Sequence, residues 1–231
     1  MREVCLGDRL RAAAKFVRQD AVFADIGTDH AYLPLFLLAE GKVRMAVCTD
    51  VNEGPLNTAR INAEDHGITD NIKFILTDGA YGLEEYGITD FAICGMGGEL
   101  IARIIDDSAF LKKKGTRLIL EPMSRQAHLR RFLAEEGFGI TEEEYVTDSG
   151  KFYLIIVAEY NGEKRKIDPT EAELGCHSRA TGDTAAKLGY LNAKRKALIK
   201  ARDGKLSGKQ SAEYEDLVLP ALDRAIDELN K

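Results

Sequence analysis

Cysteine pairs and long apolar runs are missing from this 231-residue sequence, and each lack argues against a class of protein. The cysteines (Cys5, Cys48, Cys94 and Cys176) form no CxxC pair, which favours free thiols in a reducing compartment over a disulfide framework or a zinc site. No run approaches the roughly 20 apolar residues of a membrane span, and the charged N-terminus lacks the apolar core of a signal peptide. We therefore expect a cytoplasmic protein without a metal ion and without a membrane partner.

Acidic residues exceed basic ones, 38 against 32, but the excess is unevenly distributed. Residues 161–210 hold 12 Lys/Arg against 6 Asp/Glu, whereas residues 1–160 hold 18 against 26. The distribution predicts an acidic body with a basic appendage, which is where a phosphate backbone would bind. The alternative is a solvated helix face without a partner.

Apolar runs of strand length alternate with segments of helical periodicity over the first 160 residues, which is typical of an α/β fold with a parallel sheet. After an amphipathic helix, strands are predicted at residues 21–27, 43–49, 72–77, 90–95 and 117–121. Two further extended runs flank Asp148, Ser149 and Gly150 and predict a hairpin. The sheet is therefore expected to be parallel with an antiparallel C-terminal hairpin strand.

The composition changes near residue 161, where the polar stretch 161–171 (NGEKRKIDPTE) indicates a linker. We place a domain boundary there, with domains at residues 1–160 and 161–231. Beyond it, periodicity predicts a helix over residues 183–202, a turn over 203–211, and a second helix that includes Leu219 to Leu229. Two helices joined by a short loop should pair antiparallel, as a helical hairpin or short coiled coil.

The first of four loops that follow predicted strands contains Gly27 between two acids, Asp25 and Asp29. A parallel sheet binds ligands beyond the carboxyl ends of its central strands. A dinucleotide site would have G-x-G-x-x-G and amide donors for pyrophosphate, whereas one glycine between two carboxylates suits a ligand with a sulfonium and an ammonium group. The loop therefore predicts S-adenosylmethionine as the cofactor.

The other three loops continue this pattern. Asp50 ends the second strand and is placed to accept hydrogen bonds from both ribose hydroxyls. Asp78 could accept from the adenine amino group, and Gly79 would let the ring approach the backbone. The fourth loop is glycine-rich and would form a floor between cofactor and substrate; its residues are Gly95, Met96, Gly97 and Gly98. A single acid at a strand end is more often a helix cap, so the prediction rests on the four loops together.

Taken in order, DIGTDHAYLP, TDVNEGPL, TDGAYGL, GMGGELI and LILEPM resemble the bacterial tRNA (adenine-22-N1)-methyltransferases over about the whole chain. The resemblance implies a Rossmann-like class I methyltransferase domain, a coiled-coil-like helical domain that binds tRNA, and S-adenosylmethionine as donor to N1 of a tRNA adenosine. It places cofactor contacts on Asp25, Gly27, His30, Asp50, Asp78, Gly79 and Gly95 to Gly98. It places Asp29, Tyr32 and Met96 beside the target base.

Adenine N1 has an available lone pair, so the predicted reaction needs positioning in a dry pocket and no strong general base. Asp29 is the expected catalytic residue, because a carboxylate beside the ring would stabilise the charge that develops on the base. Alternatively, Asp29 caps a helix that begins near His30, and His30 packs locally. Lys194, Arg195 and Lys196 are expected to bind RNA.

Arg125, with Arg103, Arg130 and Arg131, would extend the basic track across the catalytic domain, or would form a solvated helix face. We expect tRNA and not DNA as the partner, and a monomer or weak dimer.

Three other functions compete with this prediction. Methylation of an exocyclic amino group usually requires Asn/Asp-Pro-Pro-aromatic after the fourth strand, where this sequence has residues 94–98 (CGMGG). A small-molecule methyltransferase would use the helical tail as a lid or dimer contact. A non-catalytic module would bind cofactor and RNA without turnover, and only an activity assay distinguishes it.

Overall fold

A seven-stranded mixed sheet organises residues 3–231, the part of the chain that the computed structural model describes. Its strands are β1 (Ala21–Ile26), β2 (Val43–Asp50), β3 (Ile72–Leu76), β4 (Asp90–Gly97), β5 (Arg117–Ser124), β6 (Phe138–Asp148) and β7 (Lys151–Tyr160). In space they follow the order β3-β2-β1-β4-β5-β7-β6, with the first five parallel and β7 antiparallel to both neighbours. The predicted α/β fold with an antiparallel C-terminal strand is confirmed.

Helices cover both faces of this sheet. They are α1 (Asp8–Phe16), α2 (Tyr32–Ala39), α3 (Glu53–His66), α4 (Gly98–Asp106), α5 (Gln126–Glu135), α6 (Pro169–Leu174), α7 (Thr184–Ser207) and α8 (Glu213–Leu229). Alternate residues of β1 point to opposite faces, so Phe23 packs in the apolar cluster of α1 and α2, whereas Ala24 and Ile26 pack in that of α4 and α5. Among the described residues, no helix is long and apolar enough to cross a membrane.

The C-terminal helices share the core of the sheet. Tyr190 of α7 and Leu222 of α8 belong to the same buried cluster as Leu154 of β7. The ion pairs of Arg195 with Asp223 and Lys205 with Glu215 run in opposite chain directions, so α7 and α8 pair antiparallel as predicted. We call α6 to α8 the helical layer.

Two predicted boundaries in this region are wrong. The predicted turn over 203–211 is helical as far as Ser207, because Lys205 reaches the buried carboxylate of Glu215 at 2.8 Å and draws the last turn of α7 onto α8. The predicted linker 161–171 is helical from Pro169, because Asp168 caps α6 by accepting a hydrogen bond from the Glu171 amide at 2.9 Å.

Arg130 is buried, so its prediction as part of an exposed basic track or solvated face is wrong. Its side chain is 1% exposed, and its Nε donates to Glu143 Oε1 at 2.8 Å. Its Nη1 donates to the carbonyl of Ala172, and the second Glu143 oxygen accepts from the Cys176 amide at 2.6 Å. Burial opposes the charge of Arg130, but Glu143 outweighs it and raises the pKa of the guanidinium. The pair therefore joins α5, β6 and α6.

Replacing Glu143 by alanine should lower the free energy of unfolding by about 3 to 5 kcal/mol, because it leaves a buried guanidinium without its carboxylate. Urea denaturation followed by circular dichroism would measure the loss. Glu171→Ala is the matched control, since it removes the carboxylate of the solvent-exposed pair with Arg165 and should cost less than about 1 kcal/mol. Equal losses for the two variants would contradict the prediction that the buried pair contributes more to the free energy of unfolding than the exposed pair does.

Candidate functional site

A cavity of about 650 Å³ opens where β1 to β4 end, at the carboxyl edge of the parallel strands. Its volume is within the usual range of small-molecule sites. The cavity brings together these residues singled out from the sequence: Asp25, Gly27, Asp29, His30, Tyr32, Asp50, Asp78, Gly79, Gly95 and Met96. Parallel strands in the observed order bring their loops to one edge, although the loops are distant in sequence.

Gly27 turns the chain back over β2 at the end of β1. The amides of Gly27 and Thr28 both donate to the Thr49 carbonyl at 2.9 Å, and Gly27 has a φ of +72°. A Cβ at this position would collide with the Met96 methyl group. Glycine therefore favours this left-handed turn and permits the present position of the Met96 side chain.

The rest of the first loop also has an unusual backbone conformation. Asp29 and Ala31 have φ values of +51° and +57°, in a region that residues with a Cβ seldom occupy. The loop is fastened from outside, because Asn62 of α3 donates to the His30 carbonyl at 2.9 Å. Strain of this kind persists where surrounding contacts enforce it, and it is common at ligand sites.

Asp25 is the buried carboxylate of the cavity. Its side chain accepts a hydrogen bond from the Thr28 hydroxyl at 2.6 Å, and the residue is 7% exposed. Burial raises the pKa of Asp25 to about 6, although Thr28 and Arg9 oppose the shift. A carboxylate with a perturbed pKa in a cleft is a candidate for binding or catalysis, and a cationic ligand would restore its charge.

Asp29, His30 and Tyr32 lie at the rim. The Asp29 side chain is 69% exposed, and its Oδ2 is 3.4 Å from His30 Nε2. The His30 ring stacks on Tyr32 at a centroid distance of 5.5 Å. Helix α2 begins at Tyr32 without a side-chain cap, so the alternative in which Asp29 caps this helix is wrong.

The acids of the second and third loops are held in place by local contacts. Asp50 Oδ1 accepts a hydrogen bond from the Asn52 amide at 2.8 Å. Asp78 lies 3.7 Å from Arg103 of α4, in an exposed pair. The Gly79 carbonyl accepts from the Thr49 hydroxyl at 3.1 Å. Carboxylates therefore follow one another along the edge from β3 to β1.

Gly97 and Gly98 do not line the cavity, unlike the other glycines singled out from the sequence. β4 continues to Gly97 instead of ending at residue 95. A Cβ at Gly98 would lie 2.6 Å from the Arg125 carbonyl oxygen, so this glycine permits the starts of α4 and α5 to touch. The last two glycines of the fourth loop serve packing against β5.

An ion pair between Arg9 and Glu121, which was not predicted from the sequence, lies at the β5 end of the cavity. Arg9 lines the cavity from the first turn of α1, and its Nη1 contacts Glu121 Oε2 within β5. Glu121 is 1% exposed, and burial raises its pKa although Arg9 opposes the shift. Glu121 could have been singled out because it is the last residue of a predicted strand. Nothing in the sequence indicates that its partner is Arg9, 112 residues away.

The basic residues expected to bind RNA differ in their availability. Lys194 lies against Glu173 at 2.5 Å with a side chain 12% exposed, and burial lowers its pKa. Arg195 forms an ion pair with Asp223 at 2.5 Å. Lys196 is exposed on α7. Arg125 is exposed at the start of α5 and lies 3.4 Å from Glu99.

The chain is similar in sequence to known methyltransferases. Residues 6–156 match the family model of a methyltransferase domain. A tRNA (adenine(22)-N(1))-methyltransferase of Bacillus subtilis (strain 168) is 33% identical over 159 residues, which cover 69% of this chain and 67% of the relative.

Two solved structures extend the similarity to the helical layer. One is a Streptococcus pneumoniae protein described as a tRNA (m1A22) methyltransferase, in complex with S-adenosyl-L-methionine. It is 30% identical, with a TM-score of 0.79 over 94% of this chain and 98% of that one. The Bacillus subtilis M1A22 tRNA methyltransferase is 26% identical, with a TM-score of 0.77 over 99% and 98% of the two chains.

Replacing Asp25 by asparagine should make stability less sensitive to pH. Because burial raises the folded-state pKa of Asp25 to about 6 from 3.8, the folded state holds its proton more tightly than the unfolded state does. Wild-type stability should therefore lose on the order of 2 kcal/mol from this group as pH rises from 4 to 7. Urea denaturation across this range should show the variant gaining stability relative to wild type; parallel curves would contradict the assignment.

Proposed function

Because the chain belongs to the methyltransferase-domain family and, within it, to the tRNA (adenine-22-N1)-methyltransferases, we propose that it methylates N1 of adenosine 22 in tRNA with S-adenosylmethionine as donor. The observation that carries the proposal is the cavity whose acids and glycine follow successive strands at one edge of the sheet. Membership of this family agrees with the resemblance seen in the sequence. The relatives named above act on tRNA, which favours tRNA over a small-molecule acceptor.

The residues present fit S-adenosylmethionine. This ligand carries a sulfonium, an ammonium and one carboxylate, and the cavity contains more carboxylates than guanidinium groups. Gly27 lines the cavity beside Met96, between Asp25 and Asp29. An acidic cavity favours a ligand with net positive charge through complementary potential.

We assign the parts of the cofactor from the order of the strands. Asp78 and Gly79, after β3, would bind the adenine, and Asp50, after β2, would accept from the ribose hydroxyls. Asp25, Gly27 and His30, after β1, would contact the amino-acid end. Gly95 and Met96 would separate cofactor from substrate, whereas Gly97 and Gly98 are withdrawn from the cofactor contacts because they pack on β5.

S-adenosylmethionine supplies an electrophilic methyl group when it is bound. The chain has to orient the adenine lone pair towards that group and exclude water, and it needs no strong base. Asp29 is the catalytic residue in this proposal: its carboxylate at the rim stabilises the positive charge that develops on the base or accepts from its amino group. Tyr32, stacked with His30, offers an aromatic face to the base.

Adenine N1 lies on the Watson–Crick edge, so the base has to be unpaired or extruded before it enters the cavity. We assign residues 1–160 to methyl transfer and residues 161–231 to tRNA binding. Arg125 and Lys196 remain candidates for phosphate contacts, because both are exposed. Lys194 is withdrawn, because it is nearly buried against Glu173. Arg195 remains a candidate, because its pair with Asp223 is exposed in the same way as the pair of Arg125 with Glu99. We further propose that the protein acts in the cytoplasm as a monomer or weak dimer, on tRNA and not on DNA.

Transfer of labelled methyl groups to unmodified bacterial tRNA should yield 1-methyladenosine at position 22, detected by nucleoside and fragment mass analysis. Asp29→Asn should lower kcat about 10- to 100-fold, because it removes the charge that stabilises the transition state. Its affinity for S-adenosylhomocysteine, measured by calorimetry, should change less than about 2-fold, because the residue faces the base.

Asp20→Asn is the matched control. Asp20 has a φ of +59°, similar to that of Asp29, but it lies in the turn before β1 at the opposite edge of the sheet. It should retain wild-type kcat. Cofactor binding without any methylation of tRNA by the wild-type protein would overturn the proposed function and favour a small-molecule acceptor or a non-catalytic role.

Reversing the charge of Lys196 should weaken tRNA binding. Lys196→Glu is expected to lower affinity several-fold and to reduce the slope of log affinity against log salt by about 1 or 2, because a phosphate contact is lost and a repulsion is added. Filter binding at several salt concentrations would measure both. Lys113→Glu is the control: this exposed lysine precedes β5 at the opposite edge and should leave the slope unchanged.

A further inference from the structure

Among residues 3–231, two arginines line the cavity, and they lie towards opposite ends. Arg103 pairs with Asp78, which follows β3 at one end of the strand order. Arg9 pairs with Glu121, which lies in β5, four strands further along the sheet. The two arginines therefore lie at the two ends of the cavity along the strand order, with the carboxylates that follow β2 and β1 between them.

Arg9 is held from three sides besides its own helix. Its backbone amide donates to Asp148 Oδ2 at 3.3 Å, at the tip of the β6–β7 hairpin. Its guanidinium lies over the Tyr153 ring at 5.6 Å and contacts Glu121. A guanidinium held by an aromatic face and a carboxylate is restricted in orientation before any ligand arrives.

The pair leaves part of the guanidinium free to bind a ligand. Glu121 contacts Nη1, whereas the Arg9 side chain is 28% exposed and lines the cavity. Arginine has five N–H donors, and a carboxylate uses two of them in a bidentate contact. The other Glu121 oxygen, Oε1, is buried and has no hydrogen-bond partner within the described chain. Burying this carboxylate is unfavourable, which suggests a role in fixing Arg9.

The other charges of the cavity make a cation at this position necessary. Asp25, Asp29, Asp50 and Asp78 line the cavity, so it repels a ligand carboxylate over most of its length. S-adenosylmethionine has one carboxylate, at the end of the molecule remote from the adenine. If the adenine lies near Asp78, that carboxylate extends towards β4 and β5, where Arg9 is located.

We propose that Arg9 binds the carboxylate of S-adenosylmethionine and that Glu121 is a positioning residue that orients Arg9 for this contact. The assignment rests on the proposed function, because it takes S-adenosylmethionine as the ligand. It makes the N-terminal helix part of the cofactor site and gives the site a means of recognising the complete amino-acid end. A nucleoside without the carboxylate would retain the other contacts and lose this one.

Two ligands that differ in the carboxylate test the proposal: S-adenosylhomocysteine and its decarboxylated analogue, S-adenosyl-3-thiopropylamine. Calorimetry on the wild-type protein should show about 10- to 100-fold tighter binding of S-adenosylhomocysteine, as expected for a charge-assisted bidentate contact. In Arg9→Ala this preference should fall to within about 3-fold, because affinity for S-adenosylhomocysteine alone decreases. Glu121→Gln should reduce the preference by an intermediate factor.

Arg9→Ala leaves Glu121 buried without a cation, so the double variant Arg9→Ala/Glu121→Gln serves as a second test with less risk to folding. It should lose the preference as Arg9→Ala does. Arg103→Ala is the matched control at the other end of the cavity, and any change in its affinity should be the same for both ligands. The ratio of affinities is informative because a general loss of structure would weaken both ligands together.

A wild-type preference that persists in Arg9→Ala and in the double variant would overturn the proposal, and so would an equal loss of both ligands in folded protein. Failure of the wild-type protein to bind either nucleoside would instead overturn the proposed function, and this assignment with it. If the wild-type protein methylates tRNA but the ratio of the two ligand affinities is unchanged in the variants, the role of Arg9 is refuted and the proposed function stands.

Discussion

The buried ion pair of Arg130 and Glu143 is the contact on which the placement of the helical layer depends. A guanidinium 1% exposed requires its carboxylate, and the same carboxylate accepts from the Cys176 amide beyond α6. Gly175 fits beside the pair because it lacks a Cβ. The pair therefore fixes α6 to the sheet, and α7 and α8 pack on the continuation of one apolar core. The position of α7 relative to the cavity therefore depends on this pair and on the shared apolar core.

The acids and the arginines of the cavity have different electrostatic roles. Its acids attract a cationic ligand, whereas its arginines are each paired with an acid and act locally. S-adenosylmethionine has one more positive charge than S-adenosylhomocysteine, so an acidic cavity favours the donor over the demethylated product. In the proposed assignment, the carboxylates that attract the donor would therefore bind the product less tightly.

Much of the fold and the centre of the site could be predicted from the sequence, because both depend on local patterns. Apolar runs located the strands, and the geometry of parallel sheets then brought Asp25, Gly27, Asp50 and Asp78 to one edge. Side chains whose partners are distant in sequence could not be placed. From the sequence alone, Arg130 is indistinguishable from an exposed helix residue, because its partner Glu143 belongs to another element. In the same way, the excess of basic residues over 161–210 does not show that Lys194 forms an ion pair with Glu173. Gly97 and Gly98 were indistinguishable from ligand-contacting glycines, because close backbone packing selects the same residue.

The contacts of α1 have a consequence for synthesis on the ribosome. Arg9 contacts Glu121, Asp148 and Tyr153, so its side chain reaches its final position only after the β6–β7 hairpin has been translated, although α1 can pack on α2 earlier. At 5 to 20 residues per second, the interval is on the order of 10 to 30 seconds. During this interval the cavity of the nascent chain is incomplete at the end where Arg9 lies. A ligand that needs Arg9 for binding therefore cannot assist the early stages of folding, and any stability gained from its binding is available only to chains that are nearly complete.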